Sequence, residues 1–246
     1  MEEVIFWAAA VIAAILVGLS KGGLPVVGML SVPVFSLVIS PVAAAGILLP
    51  IYVLSDLFGL YAYRHSYDRR VLAILIPAAA FGIAAGWATA SRVPDWAVGG
   101  LVGLIGAAFA INLLLRRAPV VGARRPEVAP GVFWGILTGF TSFVSHAGAP
   151  PYQVYVLPLG LDKMSFAGTA TITFAAVNAM KLVPYYALGQ LSIANLHIAA
   201  ILALPAVIAV WIGVRLVRIL PQKLFFSLVT WALLGVSIEL IRKAVV

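Results

Sequence analysis

The sequence predicts an all-α integral membrane protein made of two inverted repeats of about five helical segments each. Three observations carry this reading: the scarcity of charge, the length of the charge-free runs, and a likeness between the two halves whose charge bias is reversed. Of the 246 residues, 63% are hydrophobic and only 10% are charged. A soluble domain carries about 25% charged residues, so this chain cannot cover a water-exposed globule of its size. No charge interrupts Val4–Leu19, Leu24–Ser55, Val71–Ser91, Trp96–Leu115, Gly131–Ser145 or Asn195–Gly213. A helix needs about 20 apolar residues to cross the hydrocarbon core.

Breaks at Lys21-Gly22-Gly23, Ser40-Pro41, Arg64–Arg70, Arg92–Asp95 and Arg116–Pro130 divide the first half. Breaks at His146–Gly148, Gly160–Lys163, Gly189–Asn195 and Arg215–Gln222 divide the second. Ten segments follow, at roughly 4–20, 24–39, 41–63, 71–91, 96–115, 131–145, 150–160, 164–187, 194–214 and 221–242. The first two segments of each half are short, broken or re-entrant. Glu2 and Glu3 precede the first apolar run, whereas a cleaved signal begins with positive charge, so segment 4–20 is expected to be retained. Pro33, Pro77, Pro158 and Pro205 are expected to kink or end helices. The spacings Gly82–Gly86 and Gly99–Gly103 suit close helix packing, and Tyr and Trp near segment ends read as interface anchors.

The halves look like copies. Ser20-Lys21-Gly22-Gly23-Leu24-Pro25 aligns with Ser145-His146-Ala147-Gly148-Ala149-Pro150, and Pro33 falls on Pro158. After a shorter loop, Gly46 falls on Gly168, Asp56 on Asn178 and Tyr63 on Tyr185. The loop after the third segment is basic in the first half (Arg64, Arg69, Arg70) and uncharged in the second. The loop after the fourth segment carries only Arg92, offset by Asp95, in the first half, but Arg215, Arg218 and Lys223 in the second. With the linker arginines Arg116, Arg117, Arg124 and Arg125, the positive-inside rule puts 64–70, 116–125 and 215–223 in the cytoplasm. Five crossings per half keep these loops on one side and both termini outside. Arg242 and Lys243 are a mild counter-signal. Two copies with an odd number of crossings and opposite bias form an inverted repeat, an architecture typical of secondary transporters. The units are 1–117 and 131–246, joined by a basic linker at 118–130.

The repeat-related breaks are the sharpest candidates for chemistry. Each joins a polar stretch to glycine and then to Pro25 or Pro150. Proline suits a helix's first turn, glycine allows close approach, and a helix start offers free N–H groups to an anion. If the breaks lie within the membrane, they bring together backbone amides, the Ser20 and Ser145 hydroxyls and the Lys21 charge. Gly22, Gly23, His146 and Gly148 belong to the same candidate site. Lys-Gly-Gly also fits a surface turn with Lys21 snorkelling to headgroups. His146 fits neutral packing, or proton coupling if it titrates near neutral pH. Asp56 lies too deep in its segment to snorkel, so it is a functional candidate that would carry a proton, pair with a cation or cap a backbone break. Its counterpart Asn178 cannot titrate. Lys181 either snorkels or lines an outward vestibule. Thr169, Thr171 and Thr173 would bind an anion or bond their own backbone.

Other classes are excluded or disfavoured. The chain has no cysteine, so disulfides, thiolate metal sites and cysteine nucleophiles are ruled out. The net charge of +8 is confined to a few loops, which excludes a nucleic-acid surface. His65, His146 and His197 lack metal-ligand spacing. Glutamates are confined to Glu2, Glu3, Glu127 and Glu239, and no Walker sequence is present. No enzyme, metal or other cofactor is expected. Membrane lipid is the expected surround, and a homo-oligomer is compatible with the sequence.

The chain resembles the TauE/SafE family of sulfite exporters. The resemblance rests on Gly18-Leu19-Ser20-Lys21-Gly22-Gly23 with the following Pro33, on Ala43-Ala44-Ala45-Gly46, and on a second copy beginning near Gly135. It spans nearly the whole chain. The run His146-Ala147-Gly148 departs from the Gly-richer pattern. The resemblance implies a multi-pass bacterial inner-membrane carrier for sulfite or a small organosulfur anion such as sulfoacetate. The expected mechanism is alternating access at a midplane site. A passive anion channel and a proton-coupled importer of a small organic anion are the rival readings.

Overall fold

The computed structural model describes residues 2–89, 95–115, 125–189 and 191–245, and all regular structure among them is helical. In chain order the helices are α1 (Glu2–Lys21), α2 (Ser31–Phe35), α3 (Pro41–Tyr63), α4 (Arg69–Thr89), α5 (Asp95–Leu115), α6 (Val128–Ser145), α7 (Ala149–Val156), α8 (Lys163–Ala187), α9 (Ile193–Ile219) and α10 (Gln222–Val245). Among the described residues, α1, α3, α4, α8, α9 and α10 are each long and apolar enough to cross a membrane. Their outward faces carry large apolar side chains, among them Phe81, Leu104, Ile201, Leu204 and Trp231. An apolar surface this extensive needs lipid or protein against it. The protein is thus an all-helical, multi-pass membrane protein.

The helix starts follow from local chemistry. Ser40 caps α3 by accepting from the Ala43 amide at 3.3 Å, with Pro41 in the first turn. Asp162 accepts from the amides of Met164 and Ser165 and starts α8. Ser192 does the same for α9 through the Asn195 amide. Each of these side chains satisfies an amide left unpaired at a helix start. Pro50, Pro77, Pro184 and Pro205 lie inside α3, α4, α8 and α9.

The second segment of each half is the shorter of its first two. α1 has 20 residues and α6 has 18, about 30 and 27 Å at 1.5 Å per residue. The stretch expected at 24–39 forms instead a 3-10 turn over Val27–Leu30 and the five-residue α2. The stretch at 150–160 forms the eight-residue α7 and a 3-10 turn at Leu157–Leu159.

Helices from the two halves interlock. α1 packs along α9, and α4 along α6; α3 faces α8, and α5 faces α10. The first two seams are glycine-lined. A β-carbon on Gly18 would strike the Ala206 carbonyl, and one on Gly22 would lie 2.6 Å from Gly213 Cα. Across the α4–α6 seam, β-carbons on Gly82 and Gly139 would strike the carbonyls of Ile136 and Ala79. Backbones approach this closely only where side chains are missing. Gly82 thus packs as its spacing suggested. Gly103 likewise meets the backbone of Ser237 on α10, whereas the side-chain position of Gly99 lies outside the described residues.

The basic loops meet at one end of the bundle. The Asp68 amide donates to Thr169 Oγ1 at 2.9 Å, and Lys163 Nζ donates to the Arg218 carbonyl at 2.8 Å. Arg70 Nε donates to the Pro126 carbonyl at 3.0 Å, where the linker rejoins the second half. Arg92, Arg116, Arg117 and Arg124 lie outside the described residues.

Candidate functional site

One stripe of α8 carries Thr171, Phe174, Asn178 and Lys181. Their spacing of three, four and three residues puts them on one helix face. A stripe of α3 carries Tyr52, Asp56, Gly59 and Tyr63 at similar spacing. The α3 stripe meets the end of α1: a β-carbon on Gly59 would lie 2.8 Å from the Lys21 carbonyl and 2.7 Å from Thr171 Cγ2. Gly59 is therefore what lets α1, α3 and α8 converge.

Where they converge lies a cavity of about 40 Å³. One water needs about 10–15 Å³ by this measure, so the space suits a small ion. From the first half it is lined by Ser20, Lys21, Pro25, Gly28, Met29 and Tyr52. From the second come Ser142, His146, Gly148 and Ala149, with Thr171, Phe174, Asn178 and Lys181 of α8. Both breaks thus border one polar pocket inside the bundle.

Lys21 is buried, with its Nζ 2.8 Å from Asp56 Oδ1 and 5.0 Å from the centre of the Tyr52 ring. Asn178 Nδ2 donates to the other Asp56 oxygen at 2.8 Å. Asp56, 3% exposed, therefore ties together two lining residues. Snorkelling of Lys21 to headgroups is excluded by this geometry. The Tyr52 hydroxyl donates to the Gly28 carbonyl at 2.8 Å and lies 2.6 Å from Ser31 Oγ.

Lys181 differs. It is 2% exposed and borders the cavity, yet among the described residues its ammonium has no ion pair or hydrogen bond. A buried ammonium without a partner is costly, and a negative charge placed in the cavity would offset that cost. Lys181 thus lines this cavity and does not reach the membrane surface.

The backbone amides do not take the part expected of them at the first break. The amides of Gly22, Gly23 and Leu24 bond the carbonyls of Gly18, Ser20 and Leu19 at the end of α1. They finish one helix instead of opening another. Gly22 and Gly23 lie outside the cavity lining and serve packing: Gly23 adopts φ +107°, and Tyr63 donates to the Gly22 carbonyl at 2.6 Å. Ser20 borders the cavity, but its hydroxyl donates to Val17 O at 2.7 Å. At the second break the Ala147 amide returns to Thr141 O, and His146 turns the chain in the left-handed region at φ 54°. Its Nε2 lies 2.9 Å from the Tyr185 hydroxyl. Ser145 ends α6, and its side chain lies outside the described residues. Thr169 is turned toward the 64–68 loop, accepting from Asp68 and donating to Ser165 O. Thr173 bonds the Thr169 carbonyl. Thr171 alone of the three borders the cavity, donating to the Lys21 carbonyl at 3.2 Å. Tyr63 and Tyr185, at helix ends, read as interface anchors from sequence; both are instead buried and brace the breaks.

Sequence reasoning passed over Tyr52, Ser142 and the difference between Thr169 and Thr171. Counting back from Lys181 in helical steps singles out Thr171, so that signal was present. Counting back from Asp56 in the same way singles out Tyr52, whereas Ser142 carried no such signal, because only the packing of α6 turns it inward.

No curated protein and no solved structure matches the chain. The family model described as Sulfite exporter TauE/SafE matches residues 8–240, nearly its whole length. This match, over a chain of membrane helices, identifies the protein as a member of the TauE/SafE sulfite-exporter family of membrane transporters.

Proposed function

We propose that the protein is a secondary transporter that exports sulfite or a related small sulfur-containing anion, binding it in the cavity beside Lys181. The observation that carries this reading is the buried Lys181 ammonium, which has no ion pair or hydrogen bond among the described residues and borders a polar-lined cavity. His146, Asn178, Thr171 and Ser142 supply polar groups around it, and Lys21 adds field at the far side of its pair with Asp56.

The site lies between two halves that act as inverted repeats. Support comes from residues that the sequence alignment makes equivalent. Asp56 and Asn178 touch each other, as do α3 and α8, and α5 and α10. Equivalent elements meet in this way only next to a twofold axis. The α1–α9 seam answers to the α6–α4 seam under the same exchange. Rocking of such halves around a central site gives alternating access. The gathering of the basic loops at one end supports a cytoplasmic assignment for 64–70, the linker and 215–223, with residues 2 and 245 toward the outside of the inner membrane. A potential negative inside drives an anion outward by about 2.3 kcal/mol per charge per 100 mV, so export needs no coupled ion.

The test is sulfite flux in proteoliposomes holding the purified protein under an imposed potential. Saturable, potential-driven flux that shows counterflow is expected. Flux that rises linearly with concentration would indicate a channel, and flux no greater than in empty liposomes would contradict the assignment.

A further inference from the structure

We infer that the site selects anions carrying one negative charge, so that sulfite crosses as hydrogensulfite and doubly charged anions are excluded. The inference rests on the transport reading above and deepens it. It comes from the charges that face the cavity. Two ammonium groups, Lys21 and Lys181, stand against one carboxylate, Asp56. Asp56 lies 2.8 Å from Lys21 and forms with it a closed neutral pair; Asn178 occupies its second oxygen. Among the described residues, the cavity lining includes no carboxylate. The other titratable groups facing it are His146, whose Nε2 is engaged with the Tyr185 hydroxyl, and Tyr52, whose hydroxyl is bonded to Gly28. One positive charge is left over, on Lys181. A monoanion neutralises it. A dianion would leave a net negative charge inside the helix bundle, where an uncompensated charge is expensive.

Asp56 therefore sets the charge of the ligand. Were it neutral, both lysines would face the cavity and the balance would favour a dianion.

Three probes separate charge from chemistry: methanesulfonate, a monoanion at any relevant pH; sulfate, a dianion throughout; and sulfite, which changes from one charge to two near neutral pH. Their binding to the purified protein is measured by isothermal titration at pH 6 and pH 8.5. Methanesulfonate is expected to bind at both, sulfate at least tenfold more weakly than methanesulfonate at both, and sulfite to lose over tenfold more affinity than methanesulfonate does between pH 6 and pH 8.5. The methanesulfonate series corrects for titration of the protein itself. In Asp56→Asn the ratio of sulfate to methanesulfonate affinity is expected to rise at least tenfold. Should that variant fail to fold, the wild-type series decides alone. Sulfate binding as tightly as methanesulfonate would overturn the charge selection while leaving an anion site in place. Binding of none of the three would overturn the anion site and the selection with it.

Discussion

At the first break Lys21 ends α1 and pairs with Asp56, and Gly23 turns the chain. At the second, His146 makes the turn and faces Tyr185, with no carboxylate partner among the described residues. The two breaks are braced alike, since Tyr63 and its counterpart Tyr185 each bond the break of their own half. Their charges differ. Continuing the alignment along the third helix of each half, Phe174 falls on Tyr52 and Lys181 on Gly59. One half thus puts its lysine in the break and a glycine on the helix. The other puts histidine in the break and the lysine on the helix. The scaffold repeats, but the electrostatics do not. One lysine is bound into structure by Asp56, and the other is left facing the cavity. Shared geometry builds a central site, and the difference between halves gives that site its sign.

The largest expected effect breaks the first half's pair. Removing one partner of a buried ion pair costs about 3–5 kcal/mol, so Asp56→Ala should lower thermal stability in detergent strongly. The double variant Lys21→Met with Asp56→Ala should recover much of it. If the single and double variants were equally stable, Lys21 and Asp56 would not form the closed pair described here. Next come the glycine seams, which both halves share. Gly139→Leu would force a side chain into the backbone of Ala79, at a cost of about 1–3 kcal/mol or more. Gly235→Ala, with nothing within 4 Å of its added carbon, should leave the melting temperature unchanged. A similar loss in both would remove the seams from the account. The smallest effect sharpens the comparison between breaks. Tyr63→Phe leaves the buried Gly22 carbonyl without its hydroxyl donor, at about 1–3 kcal/mol, and should act on stability. Tyr185→Phe frees the imidazole that borders the cavity and should act mainly on anion affinity. Melting curves and binding titrations of the two variants distinguish these outcomes.

Much of this was legible in the chain. The helix over 41–63 follows from Ser40-Pro41 at one end and Arg64 at the other, and the structure gives those bounds. The joining of the two breaks follows from their likeness, and Asp56 stood out by its depth. Three things were hidden. The pairing of Lys21 with Asp56 depends on Gly59 letting α1 onto α3, a contact no local pattern encodes. The amides after Lys21 looked available because proline follows them. They close α1 instead, because Gly23 in the left-handed region returns the chain on its own last carbonyls. Lys181 read equally as a snorkelling or a lining residue, since its distance from the helix end is the same in both cases; burial by the opposite half decides it.

The central claim is that Lys181 holds the transported anion. Truncating one side of a buried charge contact costs about 2–5 kcal/mol, and about 1.4 kcal/mol is tenfold. The most direct test is sulfite binding and flux by purified Lys181→Gln beside the wild-type protein. The expected result is a folded variant with a melting temperature at or above that of the wild type, since a buried charge has gone, and with affinity lower by a factor on the order of thirty or more. Wild-type affinity in a folded Lys181→Gln protein would contradict it.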